Sequence, residues 1–398
     1  MNRLQTWILR LLACIAFALS AVPGAAAFRY REGTHQGAAL KYVNDLPVLL
    51  LRGTPQEMGD QAAVLTPNAV KQLMDYPKKL LQQRGRGSSW PKMQKASENL
   101  WRRVPDDYQR ELDAFARKAG VQRDDLIAAN TLVDILLAVG CSSLIVEGGR
   151  SATGAPLFGR NFDFYSLGML DEYSLVTIYR PKGKHAFASV GFPGMIGCFS
   201  GINDAGLALA VHRIYAGGDG SPKFNPRGTP YLFCCRRVLE ECATVEEAQR
   251  LLQGMERTTL MCLVLCDRRR GAVFEISPKN VIARRGKDGI CICTNHFRTE
   301  TMAFKGNPAR NRGGLTCPRY RTLIGSRDLK QLDVAAVAGK LHAANQGGQT
   351  LQTMIFEPAP LVLHLAIGEP PSSALPLRRL VLEPLLRTCN KSAGGHPP

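Results

Sequence analysis

The spacing of hydrophobic and polar positions changes once along this chain, close to residue 140. Before it, the pattern is mainly helical. Pro105 to Lys118 repeats apolar positions every three to four residues, with Pro105 suited to a first turn and Gly120 to a stop. Arg123 to Val139 predicts a second helix whose apolar face carries Leu126, Leu132, Ile135, Leu136 and Val139. It ends at Gly140, where a glycine can take backbone angles closed to other residues. The run Arg-Gly-Arg-Gly-Ser-Ser-Trp-Pro at 84–91 predicts an exposed loop. From Cys141 onward the period is two, with turn residues every 8–12 positions. Strands are predicted at 141–147, 155–163, 173–180, 185–191, 195–201, 207–213, 259–266, 271–276, 281–285 and 290–294. A helix at 245–253 has Thr244 as N-cap with Glu247 three residues on. A final hairpin pairs 351–356 with 361–367. Many strands with few helices between them predict an α+β domain, its sheets packed under helices.

The two ends stand apart from this pattern. Arg3 and Arg10, the apolar run Leu11 to Val22 and the small residues Ala25-Ala26-Ala27 have the form of a secretory signal, so residues 1–27 are set aside as an expected leader. Export to the periplasm or medium follows as an expectation. Residues 389–398 are expected to be a disordered tail. The net charge is +18, and loss of Arg3 and Arg10 would leave +16 (18 − 2). Such a surface can weakly attract anionic membranes, envelopes or acidic substrates. It does not point to nucleic acid, because the basic residues come in twos and threes without interleaved aromatics or a binding motif. Twelve cysteines become eleven without Cys14. Most sit in apolar runs such as Met261 to Cys266 and Ile290 to Cys293, where a buried free thiol behaves as a small hydrophobe.

The candidate chemistry gathers at the change of period. Cys141 follows Gly140, whose carbonyl is open to attack by the neighbouring thiol. An N-to-S acyl shift and hydrolysis of the thioester would free Cys141 as a new N-terminus. One residue would then hold a nucleophilic thiol and an α-amine whose ordinary pKa, about 7.7–8.0, suits a general base. Gly159-Arg160-Asn161-Phe162-Asp163 should fold back beside the Cys141 strand through the turn at 148–154. There Arg160 can lower the thiol's pKa and Asp163 can orient the amine. Asn203, in the hairpin turn Asn203-Asp204-Ala205-Gly206, and Asn295, at the end of a strand, can each donate an amide N–H to a tetrahedral oxyanion.

These segments, with Thr316-Cys317-Pro318-Arg319-Tyr320, occur in the order seen in the choloylglycine-hydrolase superfamily. The chain most resembles its acyl-coenzyme A:6-aminopenicillanic acid acyltransferase branch. Leu51 to Gly59 is similar to that branch's opening motif, and Thr350 to Pro358, with the strand ending at Gly368, to its closing hairpin. The resemblance implies an N-terminal nucleophile hydrolase αββα sandwich, cut between Gly140 and Cys141 into a helical prosegment (28–140) and a catalytic chain (141–398) that form one domain. It implies Cys141 as nucleophile, Arg160 and Asp163 as its activating pair, and Asn295 with Asn203 as oxyanion hole. Arg319, or else Arg321, matches a supporting arginine. The implied substrate is a small N-acyl amide or acyl thioester, with neither cofactor nor metal.

Three alternatives compete. A Cys-His protease would draw on His212, His296, His342 or His364, none of which carries a signature. A zinc site at Cys262, Cys266, Cys291 and Cys293 has suitable ligands, but alternate residues of an apolar strand fit core packing better. A catalytically silent envelope binding protein could keep the fold, although Cys141, Arg160, Asp163 and Asn295 are all present.

Overall fold

A computed structural model describes residues 28–135, 140–306 and 317–387. The expected leader and tail lie outside these residues, as do 136–139 at the end of the expected second helix. Two sheets form the middle of the molecule. The larger has the order β1 (Gly33–His35), β2 (Ala38–Val43), β3 (Leu46–Gly53), β6 (Leu175–Pro181), β7 (Phe187–Gly191), β8 (Ser200–Asn203), β9 (Ala208–Arg213), β10 (Met261–Cys266), β11 (Gly271–Ile276) and β12 (Val281–Arg284), and the smaller β13 (Ile290–Cys293), β4 (Gly140–Val146), β5 (Leu157–Asp163), β14 (Thr350–Glu357), β15 (Val362–Ile367) and β16 (Arg378–Val381). Pairing is antiparallel except between β3 and β6.

Strand periodicity explains the layers. On β4, Leu144 and Val146 join Ile290 and Ile292 in packing under Tyr320, Leu323, Val337 and Leu341 of the helices Cys317–Ile324 and Val334–Ala343. Ile145 faces the other way and meets the larger sheet's Ala208, Ala210 and Val264. The far face of the larger sheet, including Leu209, Leu263 and Phe274, is covered by the helices Tyr231–Glu241 and Val245–Gln253. The result is the expected α+β, αββα sandwich. Each fully buried Leu, Ile or Phe in these layers contributes about 1.5–3 kcal/mol. Cys262, Cys266, Cys291 and Cys293 all lie in the layer between the sheets. Every cysteine whose side chain is described is free and buried.

Local signals hold in most places. The helix Asp106–Ala119 has Asp106 and Asp107 in its first turn, Arg117 and Lys118 in its last, and Gly120 in the left-handed region at φ 65°. Thr244 caps its helix by accepting from Glu247 N at 3.2 Å, although Glu247 reaches back to Ala243 N rather than Thr244 N. Three expectations need correction. The segment before Cys141 is not helical throughout: Gly33–His35, Ala38–Val43 and Leu46–Gly53 are strands, knitted into the larger sheet by the parallel β3–β6 pairing. Residues 84–91 are not simply a loop, because the helix Trp90–Trp101 begins there with Met93, Leu100 and Trp101 buried. The strand expected at 195–201 lies instead at Ser200–Asn203.

Candidate active site

Register brings the nucleophile to its partners. In the β4–β5 pair, Gly140 lies opposite Asp163, Cys141 opposite Phe162 and Ser143 opposite Arg160. Opposite residues share a face, and a long side chain reaches the diagonal neighbour. Arg160 does so: one guanidinium nitrogen donates to Cys141 Sγ at 3.3 Å, and the other donates to the Val211 carbonyl of β9 at 2.9 Å. Asp163 points to the other face. It accepts from Thr350 Oγ1 at 2.7 Å and from Gln346 Nε2 at 2.6 Å.

Cys141 is held at three atoms. Its N–H donates to Asn295 Oδ1 at 2.8 Å, its Sγ accepts from Arg160, and its carbonyl accepts from Arg319. Asn295 follows β13 after one intervening residue, Thr294, and its Nδ2 donates to the Arg213 carbonyl at 2.9 Å. Arg319, on the helix Cys317–Ile324, donates to Asn295 Oδ1 at 2.9 Å and lies 3.5 Å from Asp163 Oδ2. Thus Cys141, Arg160, Asp163, Asn295 and Arg319, expected from sequence, are brought into one buried cluster. Burial pushes the Cys141 thiol up to about 11; Arg160 pulls down, Asp163 pushes up and Arg319 pulls down. With the Gly140–Cys141 bond intact, the thiol is therefore protonated at neutral pH and needs a base when it attacks.

Asn203 is not part of this cluster. Its Nδ2 donates to the Leu239 and Cys242 carbonyls, and its Oδ1 accepts from Leu207 N. All of this ties a turn to the end of a helix. It lies beyond the Ala208 end of β9, whereas the cluster is held from the Arg213 end, about 17 Å along the strand at ~3.3 Å per residue. A polar side chain consumed by its own turn cannot serve a distant oxyanion.

Other groups carry no sequence signature. The carbonyls of Val211 and Arg213 fix Arg160 and Asn295, and between them His212 Nε2 shares a 2.8 Å hydrogen bond with Ser143 Oγ. That bond pins the two sheets together beneath the nucleophile. Since His212 faces Ser143 and His364 faces Glu357, neither forms a pair with Cys141. Gln346 packs on Gly140: a Cβ there would sit 2.1 Å from its Nε2 and 3.1 Å from Asp163 Cβ. Gly140 is therefore required for space.

Beside Phe162 lies an apolar pocket that opens to solvent, lined among others by Leu132, Val133, Phe164, Met195 and Phe199. Leu132 and Val133 come from the helix Arg123–Ile135, before the Gly-Cys bond; the others come from after it. Among the described residues no group of three or more His, Cys, Asp or Glu is placed to hold a metal.

Replacing Arg160 with glutamine is expected to raise the Cys141 pKa, because the guanidinium favours the thiolate. The ascending limb of the kcat/KM pH profile should move to higher pH, with roughly a 10- to 100-fold loss at pH 7. A uniform loss with an unmoved profile would assign Arg160 a packing role only.

The model of the family "Acyl-coenzyme A:6-aminopenicillanic acid acyl-transferase" matches residues 150–319. An uncharacterized protein of Archaeoglobus fulgidus is 24% identical over 351 residues; the match takes in 74% of this chain and 57% of that protein. The chain thus spans little more than half the length of this curated relative. Among solved structures, an N-acylethanolamine-hydrolyzing acid amidase ortholog from Caenorhabditis elegans is 17% identical, with a TM-score of 0.41 and coverage of 61% of this chain and 100% of that one. A mutant of the conjugated bile acid hydrolase from Clostridium perfringens is 14% identical, with a TM-score of 0.42 and coverage of 61% and 93%. Over residues 150–319, where Arg160, Asp163, Asn295 and Arg319 lie, this chain is similar in sequence to the acyl-coenzyme A:6-aminopenicillanic acid acyl-transferase family.

Proposed function

We propose that this is an exported, self-processing amidohydrolase or acyltransferase that attacks linear amides through an acyl-enzyme on Cys141. The observation that carries the reading is the threefold grip on Cys141: Asn295 at nitrogen, Arg160 at sulfur and Arg319 at the carbonyl. Maturation begins when the thiol attacks the Gly140 carbonyl. The C–N bond breaks, the proton lost by sulfur ends on nitrogen, and a thioester joins Gly140 to Cys141 Sγ. Water hydrolyses it, leaving a Gly140 carboxylate and a free Cys141 amine.

The freed amine keeps Asn295 Oδ1 as hydrogen-bond acceptor, which directs its lone pair. It takes the thiol's proton as sulfur attacks a substrate amide and gives that proton to the leaving amine. The acyl group then passes from sulfur to water, or to another amine. Water is the default acceptor. The cavity beside Phe162 suits an apolar acyl group, since it offers dispersion contacts and few polar partners. Asn295 Nδ2 is the expected oxyanion donor that remains at the site, and in the uncut chain it is directed to the Arg213 carbonyl.

A panel of N-acyl amides of increasing acyl length tests the reading, with released amine as readout. Turnover should rise with acyl length until the cavity is filled. Absence of hydrolysis across the panel would favour a binding protein that merely keeps the fold. Processing has its own test. In Gly140→Ala the new methyl displaces Gln346 from Asp163, which should slow cutting about tenfold or more, in line with the loss of a hydrogen bond to a charged group. A time course of fragment appearance measures this; an unchanged rate would remove Gln346 from the account.

A further inference from the structure

Two residues along β4 from Cys141, four side chains meet between the sheets. His212 on β9 lies opposite Cys262 on β10, and Ser143 on β4 lies opposite Cys293 on β13. Alternation turns all four into the layer between the sheets, where Cys262 and Cys293 pack with Val264 and Cys291, two residues along their strands. β9 touches β4 and β11 touches β13, so β10, which runs between β9 and β11, comes over the β4–β13 pair. The Ser143–His212 bond of 2.8 Å closes one side of this square. The two thiols close the other side, within hydrogen-bonding reach of each other.

The surroundings make the two sulfurs unequal. Glu275 of β11 lies opposite Cys262. Arg284 donates to Glu275 Oε1 at 3.1 Å and to the carbonyl of Ile292, the residue before Cys293, at 2.8 Å. Burial raises the Cys293 thiol's pKa, but Cys262, His212 and Arg284 lower it more, so it is held below the ordinary thiol range. Burial raises that of Cys262. A sulfur that ionises readily beside one that stays a thiol is suited to disulfide exchange, because the thiolate is the attacking form. Cys266 and Cys291 face the same layer, but their thiols turn to the Asp267 and Arg284 carbonyls.

We propose that Cys262 and Cys293, both thiols in this structure, form a disulfide that bolts the two sheets together beneath the nucleophile. The oxidant is another disulfide, of a small molecule or a protein. The Cys293 thiolate attacks it, one of its sulfurs leaves as a thiol, and the Cys262 sulfur displaces the other. The Cys262–Cys293 bond forms, the oxidant's S–S bond breaks, and two protons and two electrons pass to the oxidant. The proposal is independent of whether Cys141 attacks an amide.

Oxidised glutathione is the probe. Native wild-type protein is incubated with it, and a second sample is refolded from urea in the same buffer, so that neither burial of the thiols nor a failed refolding decides the result alone. Both are alkylated, digested with trypsin and analysed by mass spectrometry. Peptides 258–268 and 288–298 should be joined and two hydrogens lighter than their sum, with fragment ions placing the bond at Cys262 and Cys293. Cys293→Ser should abolish the joined peptide, and Cys266→Ser should keep it. Since the bond closes a loop, oxidised wild type should melt about 5 °C above wild type kept in dithiothreitol, and Cys293→Ser should show no such difference. Alkylated thiols at 262 and 293 in both samples, or a bond between Cys266 and Cys291, overturns the proposal. Joined peptides with an unchanged melting point overturn the claim that the bond bolts the sheets.

Discussion

Replacing Cys141 with alanine is expected to yield a single uncut chain that hydrolyses no amide. The same sulfur is assigned both steps, so both are lost together. Removing a nucleophile from a cooperating site costs on the order of 10³-fold to 10⁶-fold in turnover. The fold should survive, since the substitution removes one buried sulfur and keeps the backbone bonds to Asn295 and Arg319. Loss of a small buried group costs about 1–2 kcal/mol, well within a typical stability. A denaturing gel, released-amine assays and a thermal melt distinguish the cases. Turnover within a few-fold of wild type would remove Cys141 as nucleophile. A collapsed melting curve would show that the alanine chain had failed to fold, and Cys141→Ser would then carry the test.

Arg236→Met is expected to be the most destabilising single change outside the site. Arg236 is fully buried and grips Glu111 with two bonds, of 3.0 and 2.7 Å, and Glu240 with one of 2.8 Å. Its guanidinium also packs over the rings of Tyr108 and Tyr179. Glu111 belongs to the half before Gly140 and Arg236 to the half after it, so this clasp spans the proposed cut. Methionine fills much of the volume but leaves Glu111 buried without its cation, while Glu240 keeps its 2.6 Å bond from Lys184. The cost should be about 3–5 kcal/mol, or a fall in Tm near 10 °C. The sign of the pH effect follows from Glu111. Burial already raises its pKa while Arg236 lowers it. Without Arg236 the folded pKa rises further above the unfolded value, so the folded state is favoured at acid pH and loses ground as pH climbs through that raised pKa. The defect should therefore be greatest at neutral pH and shrink toward pH 4–5. A pH-independent loss would assign the effect to packing alone.

Much of this site was legible because strand register is local. Period-two alternation over 141–147 and 155–163 with a short turn between them is enough to set Arg160 diagonal to Cys141. Asn295 was legible as a polar residue ending an apolar strand. Arg319 rested on family resemblance, and its helix does place it on the Cys141 carbonyl. Asn203 misled because a turn asparagine has the same sequence appearance whether its amide faces a substrate or caps a neighbouring helix. Gln346 was invisible for the converse reason: a loop glutamine 183 residues from Asp163 has no motif. The strands before residue 54 were missed although two-residue turns at Gln36-Gly37 and Asn44-Asp45, all four residues at positive φ, join them as antiparallel hairpins; only the parallel β3–β6 pairing, far along the chain, has no turn to announce it.

The most direct measurement is N-terminal sequencing of the purified, active protein, combined with its band pattern under denaturing conditions. The account predicts two chains, the larger beginning Cys-Ser-Ser-Leu-Ile at residue 141, and a single chain in the Cys141→Ala protein. An uncut wild-type chain that hydrolyses amides at full rate would contradict it.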